Sequence, residues 1–182
     1  MKTLTIAIAA AALAVAAPAA ADDDGDGELN PSEMGLARVL DNAATGKLDM
    51  MTCASGYFLA KKGDHDYARE VFQACADAGW TGAMSWMSWM DDNGLAGPED
   101  AEAAAAWDRR AAEAGDHVGM YNYGLDLMRG RGVPQDDAAG RRWIDDAAHR
   151  GLPAAIRLQD ADYDLDEVTP DADNWKYEKR LY

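Results

Sequence analysis

The sequence predicts an all-α fold, a right-handed solenoid of antiparallel helical hairpins. Three observations point there. Alanine and glycine are abundant while Val, Ile and Thr are scarce, which favours closely packed helices over strands. The chain repeats itself when slid by 36 residues. And Gly-Pro-Asp punctuation recurs at that spacing, stopping one helix and starting the next.

The chain opens with Lys2 and an apolar run from Leu4 to Ala17. Ala19-Ala20-Ala21 follows, and then an abruptly acidic segment from Asp22. This is the layout of a signal peptide over residues 1–21. Its apolar core of about 14 residues is short for a membrane span. An uncleaved anchor is the alternative. No later stretch is apolar enough to cross a membrane. The expected location is the periplasm or the medium outside the cell. The net charge is −16, and loss of Lys2 with the leader makes the remainder one unit more negative. Such a chain repels phosphate backbones and anionic membranes, so nucleic acid is not an expected partner.

Residues 22–48 form an acidic segment with a lead helix expected from Met34. Asp22-Asp23-Asp24-Gly25-Asp26-Gly27-Glu28-Leu29-Asn30-Pro31-Ser32-Glu33 matches a calcium loop of the EF-hand kind. Asp22, Asp24 and Asp26 stand at ligand positions 1, 3 and 5. Gly27 makes the turn, Glu28 offers its carbonyl, and Glu33 is the bidentate twelfth. Calcium is therefore a candidate ligand and no other cofactor is expected. The entering helix would be the leader itself, so the alternative is a solvated acidic tail.

The repeats fill residues 49–158, in units of about 49–80, 82–115 and 118–151 with a partial unit at 152–158. The 36-residue shift pairs Met84 with Met120, Gly94 with Gly130, Pro98 with Pro134 and Asp100 with Asp136. It also pairs Ala103 with Ala139, Trp107 with Trp143, Ala111-Ala112 with Ala147-Ala148, and Gly115 with Gly151. Helices are expected over 82–93 and 118–129, followed by Gly/Pro turns. Asp100 and Asp136 would begin the second helices, and Gly115 and Gly151 would close them. Residues 159–182 form a tail that caps the last repeat or stays mobile.

Tyr123-Gly124-Leu125-Asp126-Leu127-Met128-Arg129-Gly130-Arg131-Gly132-Val133-Pro134-Gln135-Asp136, with Trp143 and Ala147-Ala148-His149-Arg150-Gly151, resembles a Sel1-like repeat. The second unit departs from that pattern, with Gly97 where Val is usual and Ser88 where Gly is usual. The first lacks the GxGV turn and resembles a plain tetratricopeptide repeat through Gly56, Tyr57, Ala68, Phe72 and Gly79. The resemblance implies a scaffold or adaptor that binds another protein or peptide in the cell envelope. It also implies a concave groove carrying the residue after the small Gly/Ser site. Those residues are Tyr57, Trp89 and Leu125, with Tyr121 nearby. Packing against Trp175, Tyr177 and Tyr182 of the tail is the alternative for these aromatics.

In the antiparallel hairpin that the resemblance implies, facing residues share a constant index sum. Gly56/Phe72 and Cys53/Cys75 have the same sum, so the two cysteines are expected opposite each other, as a disulfide or as two buried thiols. Met84, Trp86, Met87, Trp89 and Met90 make a methionine-tryptophan run. Thioethers can hold Cu(I), but Met at helical spacing is ordinary core filling. No nucleophile, zinc, P-loop or dinucleotide motif is present. His65, His117 and His149 fall at helix ends or loops. The sequence is not expected to encode an enzyme.

Overall fold

The computed structural model of the protein describes residues 35–167. The leader, the acidic loop Asp22 to Glu33, and the tail aromatics Trp175, Tyr177 and Tyr182 lie outside the described residues. A lead helix, α1 (Leu36–Thr45), precedes three hairpins. These are α2 (Met50–Lys62) with α3 (His65–Asp77), α4 (Thr81–Asp92) with α5 (Ala101–Glu113), and α6 (His117–Arg129) with α7 (Asp137–His149). A short helix, α8 (Pro153–Asp160), and a 3-10 turn at Leu165–Glu167 complete the all-helical repeat fold.

The starts of α5, α6 and α7 follow from acids placed before them. Asp100 accepts from the Ala103 amide at 2.9 Å and Asp136 from the Ala139 amide at 2.9 Å, as their equivalent places in the repeat require. Asp116 caps α6 through the amides of Val118 and Gly119. This fixes the start of α6 at His117, one residue before its sequence-predicted position. At the far ends, Gly115 and Gly151 adopt φ of 88° and 86°, the left-handed closure that glycine enters without a Cβ clash.

The second link is packing. In the first hairpin Gly56 lies under Phe72, where an added Cβ would sit 2.6 Å from the ring. In the third, Gly124 lies under Ile144, where it would sit 2.8 Å away. These glycines set the distance between the two helices of their hairpin. Phe72, Met87, Met90, Ile144 and Leu158 are fully buried, each contributing on the order of 2 kcal/mol of transfer free energy. Met84, Met87 and Met90 all belong to this core.

The core has two parts. One joins α1 to α4 with Ala111 of α5. The other joins Ala112 of α5 to α8, and Tyr163 and Leu165 fold back over it. Tyr163 donates its hydroxyl to Asp145 and lies beneath Arg141, so the described start of the tail covers the last hairpin. Cys53 and Cys75 form a disulfide with Cα atoms 5.9 Å apart, stapling α2 to α3. Between units, Arg69 reaches Asp91 at 2.6 Å and the Leu95 carbonyl at 3.0 Å. No helix among the described residues is long and apolar enough to cross a membrane.

Candidate functional site: the first-helix face

The first helices of the hairpins, α2, α4 and α6, present one continuous face with two chemically different halves. The half between α2 and α4 is aromatic. Trp86 stacks on Phe72 with ring centroids 5.4 Å apart and planes at 2°. Tyr57 and Trp89 meet the edges of Trp86 at 5.4 Å and 5.3 Å. Two shallow clefts of about 310 Å³ each open here, one bounded by Met50, Tyr57 and Trp86 and the other by Lys61, Trp86 and Trp89. Tyr57 and Trp89 are 41% and 42% exposed, and Met50, Met51 and Phe58 are more exposed still. Exposed aromatics held edge-on by a rigid neighbour offer contact area at low entropic cost.

The half between α4 and α6 is polar. A cleft of about 190 Å³ is lined by Ser88, Trp89 and Asp92 of α4, Asp108 of α5, and Asn122 and Asp126 of α6, among others. Ser88 donates to Asp108 Oδ2 at 2.5 Å, and Asn122 donates to Asp108 Oδ1 at 3.2 Å. Arg131, from the turn after α6, pairs with Asp92 at 2.8 Å. Burial raises the Asp108 carboxyl to about 6 against the two donors that lower it. Burial, reinforced by the charges of Asp108 and Asp92, raises Asp126 to about 8. Asp92 is also raised by burial.

Of the groove residues expected from sequence, Trp89 is shared by both halves. Tyr57 belongs to the aromatic half. Leu125 lines the polar cleft with only 8% of its surface exposed. Tyr121 is half-buried, and its phenol is raised by desolvation. Sequence reasoning passed over Asp108, Asn122 and Asp126. A signal was present: the 36-residue shift aligns Asp108 with Ile144 and Asp126 with Met90, two fully buried apolar residues.

Comparison with solved structures finds the same architecture. A Sel1 repeat protein from Oxalobacter formigenes is similar over 69% of this chain and 97% of its own, at 28% identity and a TM-score of 0.59. Helicobacter pylori cysteine rich protein B is similar over 69% of this chain and 98% of its own. At 16% identity and a TM-score of 0.53, that likeness is one of fold. No family model and no curated protein matches the chain.

Proposed function

The chain is a Sel1-like repeat protein, and from that premise we propose that it is a non-catalytic scaffold that binds a partner polypeptide on its first-helix face. The observation that carries this reading is that Tyr57 and Trp89 are open to solvent and both pack on a half-buried Trp86, which itself stacks on Phe72. An apolar patch of this kind, bordered by polar residues, is what a protein interface uses. The layout of residues 1–21 supports export to the periplasm. N-terminal sequencing of the mature protein tests that directly: a chain beginning at Met1 would overturn it.

The binding reading is tested by capture from envelope extract with the wild type, Trp89→Ala and Tyr57→Ala. Trp89 and Tyr57 are exposed, so the folded state should survive both changes, as circular dichroism would verify. Each variant is expected to lose the partner band by tenfold or more, as for an aromatic anchor. Undiminished capture by both would overturn the assignment of this face.

A second reading concerns Asp22 to Glu33. The complete set of calcium-loop residues supports a calcium-stabilised segment ahead of α1. Calorimetry of the mature protein with calcium tests it, and absence of binding heat at millimolar calcium would remove it.

A further inference from the structure

The polar cleft between α4 and α6 has features that the fold itself does not need. The first and third hairpins place glycine under an apolar residue, Gly56 under Phe72 and Gly124 under Ile144. The second hairpin places Ser88 under Asp108 at the same level. One hairpin further on, Asp126 occupies the place that Met90 fills in α4. Two core positions thus carry carboxyl groups at the seam between the two parts of the hydrophobic core. Burying such groups costs free energy unless they are paired.

Asp108 is paired, since Ser88 and Asn122 donate to its two oxygens. Asp126 is not. Its residue is only 8% exposed, and Oδ2 is buried without a hydrogen-bond partner among the described residues. The side chain lines the cleft. A buried acceptor in that position calls for a donor from outside. The cleft, at about 190 Å³, is smaller than the roughly 300–1,000 Å³ of small-molecule pockets, and suits one side-chain head group. Trp89 stands at its rim, where an indole face attracts a cation. Arg131 is engaged by Asp92 at 2.8 Å.

We propose that this cleft receives the ammonium or guanidinium head of a lysine or arginine presented by the partner polypeptide, with Asp126 as acceptor and Trp89 as flank. The proposal rests on the scaffold reading and specifies what the face selects. The partner's apolar residues lie over Tyr57 and Trp86, and its basic residue enters beside Trp89. The overall negative charge of the chain steers such a ligand toward it.

Protonation follows. The charged groups that act on Asp126 are Asp92 from α4 and Asp108 from α5, which raise its affinity for a proton, and Arg131 and Arg129, which lower it. On the α7 side, Gly140 and Ile144 pack against α6 at Gly124. At neutral pH Asp126 therefore holds its proton, and an entering cation displaces it. Binding should tighten about tenfold per pH unit up to about 8, and level off above it.

The test titrates the full-length mature protein with N-acetyl-arginine amide and N-acetyl-lysine amide, with N-acetyl-glutamine amide as the neutral probe. Tryptophan fluorescence and the Trp89 indole resonance report binding. The cationic amides are expected to saturate the signal, with affinity rising between pH 6 and 8, and the glutamine amide is not. Asp126→Asn should weaken the cationic amides at least tenfold and flatten the pH dependence. Equal binding of the glutamine amide, or unchanged affinity in Asp126→Asn, overturns the proposal. Partner capture by Asp126→Asn that equals wild type would sink the cation pocket while leaving the scaffold reading intact. A full-length chain with Lys176→Ala, Lys179→Ala and Arg180→Ala separates the source. Unchanged probe affinity supports an external partner. A marked gain shows the chain's own tail competing for the cleft and overturns the partner as its occupant.

Discussion

The second and third hairpins share a length, a cap and a turn, yet they differ where their helices touch. In the third, Gly124 brings α6 close enough for Ile144 to lie on its backbone. In the second, Ser88 and Asp108 make a hydrogen bond at that level, and the neighbouring cleft opens to solvent. The third hairpin spends this layer on cohesion. The second replaces it with a carboxyl that accepts from Ser88 and Asn122, beside the exposed Trp89 and the unpartnered Asp126 of the third. Giving up apolar packing at this level in the second hairpin alone lowers cohesion there, and the proposed cation pocket is the use to which that layer would be put. The first hairpin shows a further variation. It keeps the Gly56/Phe72 layer, has the shortest turn of the three, and adds a covalent staple.

The largest expected effect separates the stapled hairpin from the others. Replacing both Cys53 and Cys75 by Ala removes a cross-link with a sequence separation of 22. The expected loss is about 3 kcal/mol of stability, read by chemical denaturation. A loss well under 1 kcal/mol would mean that the Phe72 layer alone holds α2 to α3. Next comes exchange of the small residue. Gly124→Ser would place a Cβ 2.8 Å from Ile144 Cδ1 and 2.9 Å from the Gly140 carbonyl oxygen, and that backbone atom cannot simply rotate away. The expected cost is about 1–3 kcal/mol. The reverse change, Ser88→Gly, introduces no clash but removes a donor from Asp108, and about 1–3 kcal/mol is expected from that cause instead. If Gly124→Ser were neutral, the two hairpins would not differ in how closely their helices approach.

These contrasts explain what was legible in the sequence. The 36-residue identities fall on caps, turns and small residues, which are local requirements of a helical hairpin. Asp100, Asp136, Gly115 and Gly151 therefore fixed the helix ends almost to the residue. The constant index sum of an antiparallel pair was enough to set Cys53 opposite Cys75. The polar cleft was hidden for a different reason. Asp126 is one acid among 33 Asp and Glu, and nothing in its immediate neighbours separates a buried carboxyl from a solvated one. Only its mismatch with Met90 in the preceding unit does so, and the same holds for Asp108 against Ile144. Leu125 shows the complementary difficulty. Repeat position put it on the groove, but its neighbours cover most of it.

That mismatch can be tested by restoring the apolar residue. Asp126→Met copies Met90 into the third hairpin and removes the unpaired acceptor. Stability at neutral pH is expected to rise by about 1–3 kcal/mol. The pH dependence has a definite sign. Folded Asp126 keeps its proton up to about 8, whereas the unfolded chain releases it near the ordinary carboxyl value. Between those values the native state holds the extra proton, so wild-type stability falls as pH rises through that window. Asp126→Met should flatten that decline. A variant less stable than wild type at pH 7 would show that the carboxyl has a partner after all.

The smallest effect serves as the control on which the comparison depends. Asp100 and Asp136 cap α5 and α7 with the same geometry, each accepting from the amide three residues ahead at 2.9 Å. Both are exposed, and neither touches the cleft. Replacing either by Ala should cost about 1 kcal/mol, by loss of one charge-assisted bond to a helix N-terminus. The two costs should agree within a few tenths, as expected for distant, independent sites in a repeat array. Equal values from denaturant titration would place the difference between the hairpins at the Ser88/Asp108 and Gly124/Ile144 layer. A much smaller cost for Asp100→Ala would instead show that α5 already frays at its start. The second hairpin would then be the looser one throughout, and the cleft a symptom of that looseness rather than its own feature.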